Sequence, residues 1–163
     1  MLGLLRKVGV CFLIATVFAS LAVLTGYASS EYTVGSGMVT VAGKQMKVLT
    51  GAKDMTLYYL ASDTPQSACT GGCASTWPPL LSTTVPTSED PLPGKLSLVK
   101  TANGSQVAYN GHLLYYYSGD TAVGQANGQG TAGKWWVAAV DLKAASHSSG
   151  TTSGSSTKSS SGW

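Results

Sequence analysis

Residues 56–64 read TLYYLASDT and residues 113–121 read LLYYYSGDT, fifty-seven positions apart. Five of the nine positions are identical, and in both the aspartate stands five residues after the first tyrosine. Trp77 follows Asp63 by fourteen residues and Trp135 follows Asp120 by fifteen, so the tryptophans keep step with the motif. The same landmarks in the same order at one period indicate an internal duplication. The duplication constrains the fold strongly. One small unit of short strands is marginal alone, whereas two copies can close a shared core.

The unit is a β-meander. GMVTVAG, KQMKVLT and MTLYYLA read as three strands separated by AGK and GAKD turns, and KLSLVK, SQVAY and HLLYYY repeat the scheme across TANG and NG. Asn110-Gly111 is a strong hairpin signal, because both residues tolerate the positive φ of a type I′ turn. KWWVAAVDL follows a glycine-rich loop as a further strand. The expected fold is all-β, with duplicated antiparallel meanders packed as a small sandwich or barrel-like core. Repeat 1 covers about 37–85 and repeat 2 about 95–142 within a β domain of 29–145. Side chains alternate along a strand, so Tyr58 and Leu60 share one face, as do Tyr115 and Tyr117. Tyr59 and Tyr116 face the other way, which predicts a central strand covered on both sides. Asp63 and Asp120 fall just past the strand, where a carboxylate is expected to accept N–H groups of the following turn.

Both flanks differ from this body. MLGLLRK carries two positive charges, and residues 8–28 run without any charge to Gly26 and Ala28. Residues 1–28 are read as a signal peptide, or as an uncleaved membrane anchor, because the apolar run is long for an export signal. Cys11 follows Val10 and precedes most of that run, so it is read as a plain membrane-segment residue. Residues 146–163 are Ser/Gly/Thr-rich and offer too little apolar surface to offset ordering entropy, so a disordered tail is expected. Without Arg6 and Lys7 eight basic residues face seven acids, and no arginine remains. That balance excludes a nucleic-acid binder, which needs a basic stripe.

The motif residues carry a resemblance. Tyr115-Tyr116-Tyr117-Ser118-Gly119-Asp120 fits the Yx(F/W/Y)xxD motif of the secreted repeat of unknown function family, whose members are predicted lipoproteins. Tyr58 to Asp63 fits it with Leu60 in the third, usually aromatic place. SACTGGCASTWPPLL is similar to the family's CxGxC…WPP segment, and VAYNGHLLYYYSGDTAVGQANGQGTAGKWWVA to its second half. The resemblance implies an exported β-protein and makes Tyr58, Leu60, Asp63, Trp77, Tyr115, Tyr117, Asp120 and Trp135 family-motif residues, structural or binding. It implies no activity. The chain departs from many relatives in lacking a lipobox cysteine.

Little in the sequence points to catalysis. Cys69 and Cys73 frame CTGGC, and two close cysteines outside the cytoplasm are expected to pair as a disulfide. CxxC and CxxCH are absent, and a zinc site would need ligands beyond these cysteines and His112. No metal or cofactor is therefore expected. GQGTAGK formally matches GxxxxGK, but Trp135 stands where Ser or Thr is required and a strand follows where a helix should begin. GxSxG and HExxH are missing, and the duplicated Asp63 and Asp120 are read as structural partners rather than a glycosidase pair. Asn103-Gly104-Ser105 is a glycosylation sequon on a predicted turn. The sequence reads as an exported, non-enzymatic binding or structural module whose partners are cell-envelope components or other proteins. One alternative is a redox accessory using Cys69/Cys73 or a bound metal. Another is a carbohydrate-binding module built on exposed tryptophans, Trp135 and Trp136 among them.

Overall fold

The computed structural model describes residues 32–146. The export segment of 1–28 and all but the first residue of the Ser/Gly/Thr-rich tail lie outside the described residues. The strands are β1 (Gly35–Val41), β2 (Lys44–Thr50), β3 (Tyr58–Leu60), β4 (Leu96–Thr101), β5 (Gly104–Tyr109), β6 (His112–Leu113) and β7 (Trp135–Val137). One short helix, α1 (Gly72–Thr76), lies between β3 and β4. The fold is all-β and antiparallel, as the alternating pattern predicts.

The hairpin signals form where expected. β1 and β2 pair along their whole length, from Gly35 opposite Thr50 to Val41 opposite Lys44. Ala42 and Gly43 close that hairpin at φ 48° and 76°, and Asn110 and Gly111 join β5 to β6 at φ 50° and 86°. Positive φ at both central residues matches the hairpin turn to the right-handed twist of the strands.

Pairing beyond the hairpins departs from two independent meanders. β4, β5 and β6 form one sheet, but β3 pairs with β7, with Tyr58 opposite Val137 and Leu60 opposite Trp135. The sheets do not close into a barrel. Each repeat instead lends the segment after its tryptophan to the other. Ala138 is held by Leu49 N–H to its carbonyl at 2.8 Å and by its own N–H to Leu57 O at 2.8 Å. Leu80 is held in the same way by Val107 N–H at 2.8 Å and through its own N–H to Leu114 O at 2.9 Å. The exchange pivots on Tyr58 and Tyr115, whose backbones bond reciprocally at 2.8 and 2.9 Å. Equivalent residues of the two copies therefore meet at a local two-fold axis.

This crossing makes two cores. Val39, Val48, Tyr58, Trp77, Leu113, Tyr115, Trp135 and Val137 bury on one side, with Leu60 and Tyr117 packed against them. Val34, Leu49, Leu57, Leu80, Val107, Tyr109 and Leu114 bury on the other, with Tyr59 and Tyr116 packed against them. Both faces of the two tyrosine runs are covered, as expected, but the second run is not a continuous strand: β6 ends at Leu113, and Tyr115 pairs with Tyr58 and Pro79 through isolated bridges.

Candidate functional site

The motif builds the centre of the molecule by exchange of partners. Tyr58 donates its hydroxyl to Asp120 Oδ2 at 2.5 Å, and Tyr115 donates to Asp63 Oδ2 at 2.8 Å. The tyrosine of each repeat thus holds the aspartate of the other. Each hydroxyl also accepts a backbone N–H, Tyr58 from Gly128 and Tyr115 from Cys69, both at 3.2 Å. The local turn lock expected of both aspartates is replaced by this crossed pairing. Only Asp120 also bonds a following backbone group, accepting Asn127 N–H on Oδ1 at 2.9 Å.

The tryptophans stack on the same axis. Trp77 and Trp135 lie parallel, with centroids 3.9 Å apart and planes 2° from each other. Tyr58 meets Trp77 edge-on at 5.5 Å, and Tyr115 meets Trp135 edge-on at 5.2 Å. Tyr117 lies against Trp77 at 4.4 Å. Trp135 is only 6% exposed, so it cannot serve as a sugar platform. Gly128 leaves room for this stack. A β-carbon there would come 2.7 Å from Trp77 Cη2 and 2.9 Å from Tyr58 Cε1. Gly128 is the first glycine of GQGTAGK, which the sequence reading took for a loop glycine and not for a packing position.

Burial sets the protonation of the centre. Asp63 is pushed up to about 7 by desolvation, against the opposing effect of the Tyr115 hydrogen bond. Tyr58 and Tyr115 are raised far above the ordinary phenol range, first by burial and also by their carboxylate partners. Both tyrosines therefore stay protonated, as donors to the aspartates. Asp63 and Asp120 are only 5% and 8% exposed, so both carboxylates lie almost wholly inside the fold, with Asp63 at the wall of a recess that it shares with Tyr59 and His112.

Cys69 and Cys73 form the expected disulfide. Cys69 is buried in the aromatic core, whereas Cys73 is exposed on α1. Asn103 donates Nδ2 to Cys69 O at 2.8 Å, which ties the β4–β5 turn to the stapled loop and engages the sequon amide inside the fold. Reduction is expected to lower stability by about 2 kcal/mol, the loop-closure value for so short a ring. Urea unfolding with and without a reductant checks this. A bond reduced by mild glutathione buffers without any loss of stability would instead favour a redox role.

Of the remaining candidates, His112 shares a recess with Asp63 and Tyr59. His112 packs its ring against Tyr59 at 4.6 Å and places Nε2 3.0 Å from Lys143 O, so it is more engaged than a free hairpin residue. Trp136 is half-buried on β7. The GQGTAGK loop is a connection, with Gly130 and Gly133 at φ 76° and 64°.

On the second-core side the surface opens into a cleft of about 560 Å³. Tyr32, Leu80, Leu81, Thr84, Ser105 and Tyr116 are among its lining residues, and no acid, amine or imidazole lines it. Tyr32 and Leu81 are 44% and 48% exposed there. Tyr116 is held across its floor by accepting Ala52 N–H at 2.9 Å. Of these residues the sequence reading singled out Tyr116 and, within the sequon, Ser105, but not the cleft, which comes together from five separate segments.

A family model described as a secreted repeat of unknown function matches residues 38–81 and again 97–139. The two stretches coincide with the two structural repeats and together cover more than half of the chain. No curated protein and no solved structure matches.

Proposed function

The chain belongs to the family of secreted repeats of unknown function, and from that premise we propose that its folded body is a non-enzymatic binding module of the cell envelope. The protein is exported. Its motif residues are spent on the core, so recognition falls to the surface. The cleft between Tyr32, Leu81 and Tyr116 is the observation that carries this reading. Its volume lies in the range of small-ligand sites. A lining of hydroxyls and tyrosine faces without an ionic group suits an uncharged, hydroxyl-rich ligand, and an envelope saccharide is the ligand class that we assign to it. Compartment, and attachment through residues 1–28, belong to this proposal as a periplasmic or cell-surface placement.

Neutral hexose and N-acetylhexosamine oligosaccharides, titrated while backbone amide resonances are followed, test the assignment. Shifts are expected at Thr33, Leu81–Thr84 and Ser105, and they should be lost in Tyr32→Ala and Leu81→Asp. Both side chains are partly exposed, so the fold should survive. Shifts confined to other surfaces, or none across the panel, would remove the saccharide reading.

A further inference from the structure

A second recess lies beside the β1–β2 hairpin, and its chemistry is the opposite of the cleft's. It measures about 360 Å³ and combines the carboxylates of Asp54 and Glu89 with Thr50, Ser36 and the apolar Met38 and Val123. Thr50 is 3% exposed, yet its Oγ1 has no hydrogen-bond partner among the described residues. A buried hydroxyl left without a partner is costly, so a native fold is expected to supply one.

The surroundings are fixed in place. Gly35 lies opposite Thr50 in the hairpin, and a β-carbon on Gly35 would come 2.9 Å from Thr50 Oγ1 and 3.4 Å from Glu89 Oε2. The missing side chain keeps the hydroxyl and the carboxylate facing a bare stretch of backbone. Glu89 is positioned by its own N–H, which bonds Val34 O at 3.0 Å. Thr56 Oγ1 donates to Gln125 O at 2.6 Å and so pins the loop that carries Val123. Ser36 donates to Asp90 Oδ2 at 2.9 Å, which brings a third carboxylate to the rim, where Lys47 partly balances it at 3.6 Å.

We propose that this recess receives an alkylammonium group, its N–H donors directed to Glu89, Asp54 and the Thr50 hydroxyl and its methylene stem lying on Met38 and Val123. An ammonium carries three donors and no acceptor, which matches a set of oxygen acceptors. Met38 and Val123 are 54% and 66% exposed, and a stem of several methylenes would cover both. A metal ion would make no use of that apolar wall. Among the described residues no three His, Cys, Asp or Glu side chains gather to hold one. A lysine side chain of a partner protein and a free diamine share this chemistry.

Titration of the full-length protein with capped lysine (Nα-acetyl-lysine methylamide), with cadaverine and with calcium chloride at matched ionic strength decides the matter. Either amine is expected to shift the Gly35, Gly37, Thr50 and Val123 amides at millimolar concentration. Glu89→Gln and Thr50→Val should each weaken binding roughly tenfold through loss of a charge-assisted or buried contact. Capped lysine binding at least as well as cadaverine indicates a protein ligand, and the reverse order a free polyamine. Glu89 is exposed, so Glu89→Gln folds normally and remains informative even if Thr50→Val does not. Absence of amine-induced shifts, shifts that survive Glu89→Gln, or displacement of the amine by calcium would overturn the proposal.

Discussion

Trp77→Ala is expected to remove about 3–5 kcal/mol of folding stability, the usual cost of truncating a buried aromatic residue to alanine. The indole lies parallel to Trp135 at 3.9 Å and touches Tyr58 and Tyr117 as well, so its loss opens a cavity at the meeting of the two repeats. Stacked and edge-on aromatic pairs add to the burial itself. Trp135→Ala should cost a similar amount, because it removes the other half of the same stack. Trp136, half-buried on β7, is the control, and its replacement by alanine should cost well under half as much. Urea unfolding of the three variants measures the difference. Equal and small losses would mean that the stack is not the keystone of the core. For the same reason Trp135→Ala is no test of sugar binding, since it attacks the fold first.

Tyr115→Phe is expected to cost about 2–3 kcal/mol near neutral pH, because it strips a buried carboxylate of its hydroxyl donor and the Cys69 N–H of its acceptor. The loss should depend on pH through Asp63. Its carboxyl is held up to about 7 by burial, whereas in the unfolded chain it titrates near 4. Between those values the folded state keeps a proton that the unfolded state has released, so stability falls as pH rises. The advantage of the neutral form is complete below about pH 4 and gone above about pH 7, with a slope of at most about 1.4 kcal/mol per pH unit. Removing the Tyr115 hydroxyl takes away the one interaction that pulls Asp63 downward, so the midpoint in Tyr115→Phe should move above that of the native protein. Asp63→Asn should abolish this pH dependence. A flat stability profile in the native protein would contradict the burial of Asp63. A double-mutant cycle adds the crossed pairing. Tyr115 should couple to Asp63 by about 1 kcal/mol or more, and Tyr58 to Asp63 by clearly less.

Much of this centre was legible in the residues. The repeated tyrosine run gave a strand with both faces covered, and Tyr58 and Tyr115 do bury opposite Tyr59 and Tyr116. Asn110-Gly111 lies at its hairpin turn because positive φ restricts that place to few residue types, whereas at the β1–β2 turn only Gly43 carries that signal and Ala42 takes φ 48° against its β-carbon. The candidate surfaces were not legible. Thr50 and Asp54 are close neighbours in the chain, but Glu89 joins them from a distant segment, and Tyr32, Leu81 and Tyr116 are likewise far apart in sequence.

By itself, then, the sequence determined the duplication, the strands, their buried faces and the short disulfide, because alternation, turn chemistry and four-residue proximity are local. Only the tertiary structure decided which copy each group bonds to. Alternation specifies the face on which a side chain lies but not the strand that arrives beside it. When two copies carry the same tyrosine, aspartate and tryptophan, either partner satisfies the local pattern. The crossing of the chain at Tyr58 and Tyr115 resolves that degeneracy. It turns two like meanders into one body in which Leu80, Ala138 and both aspartates are held by the opposite repeat.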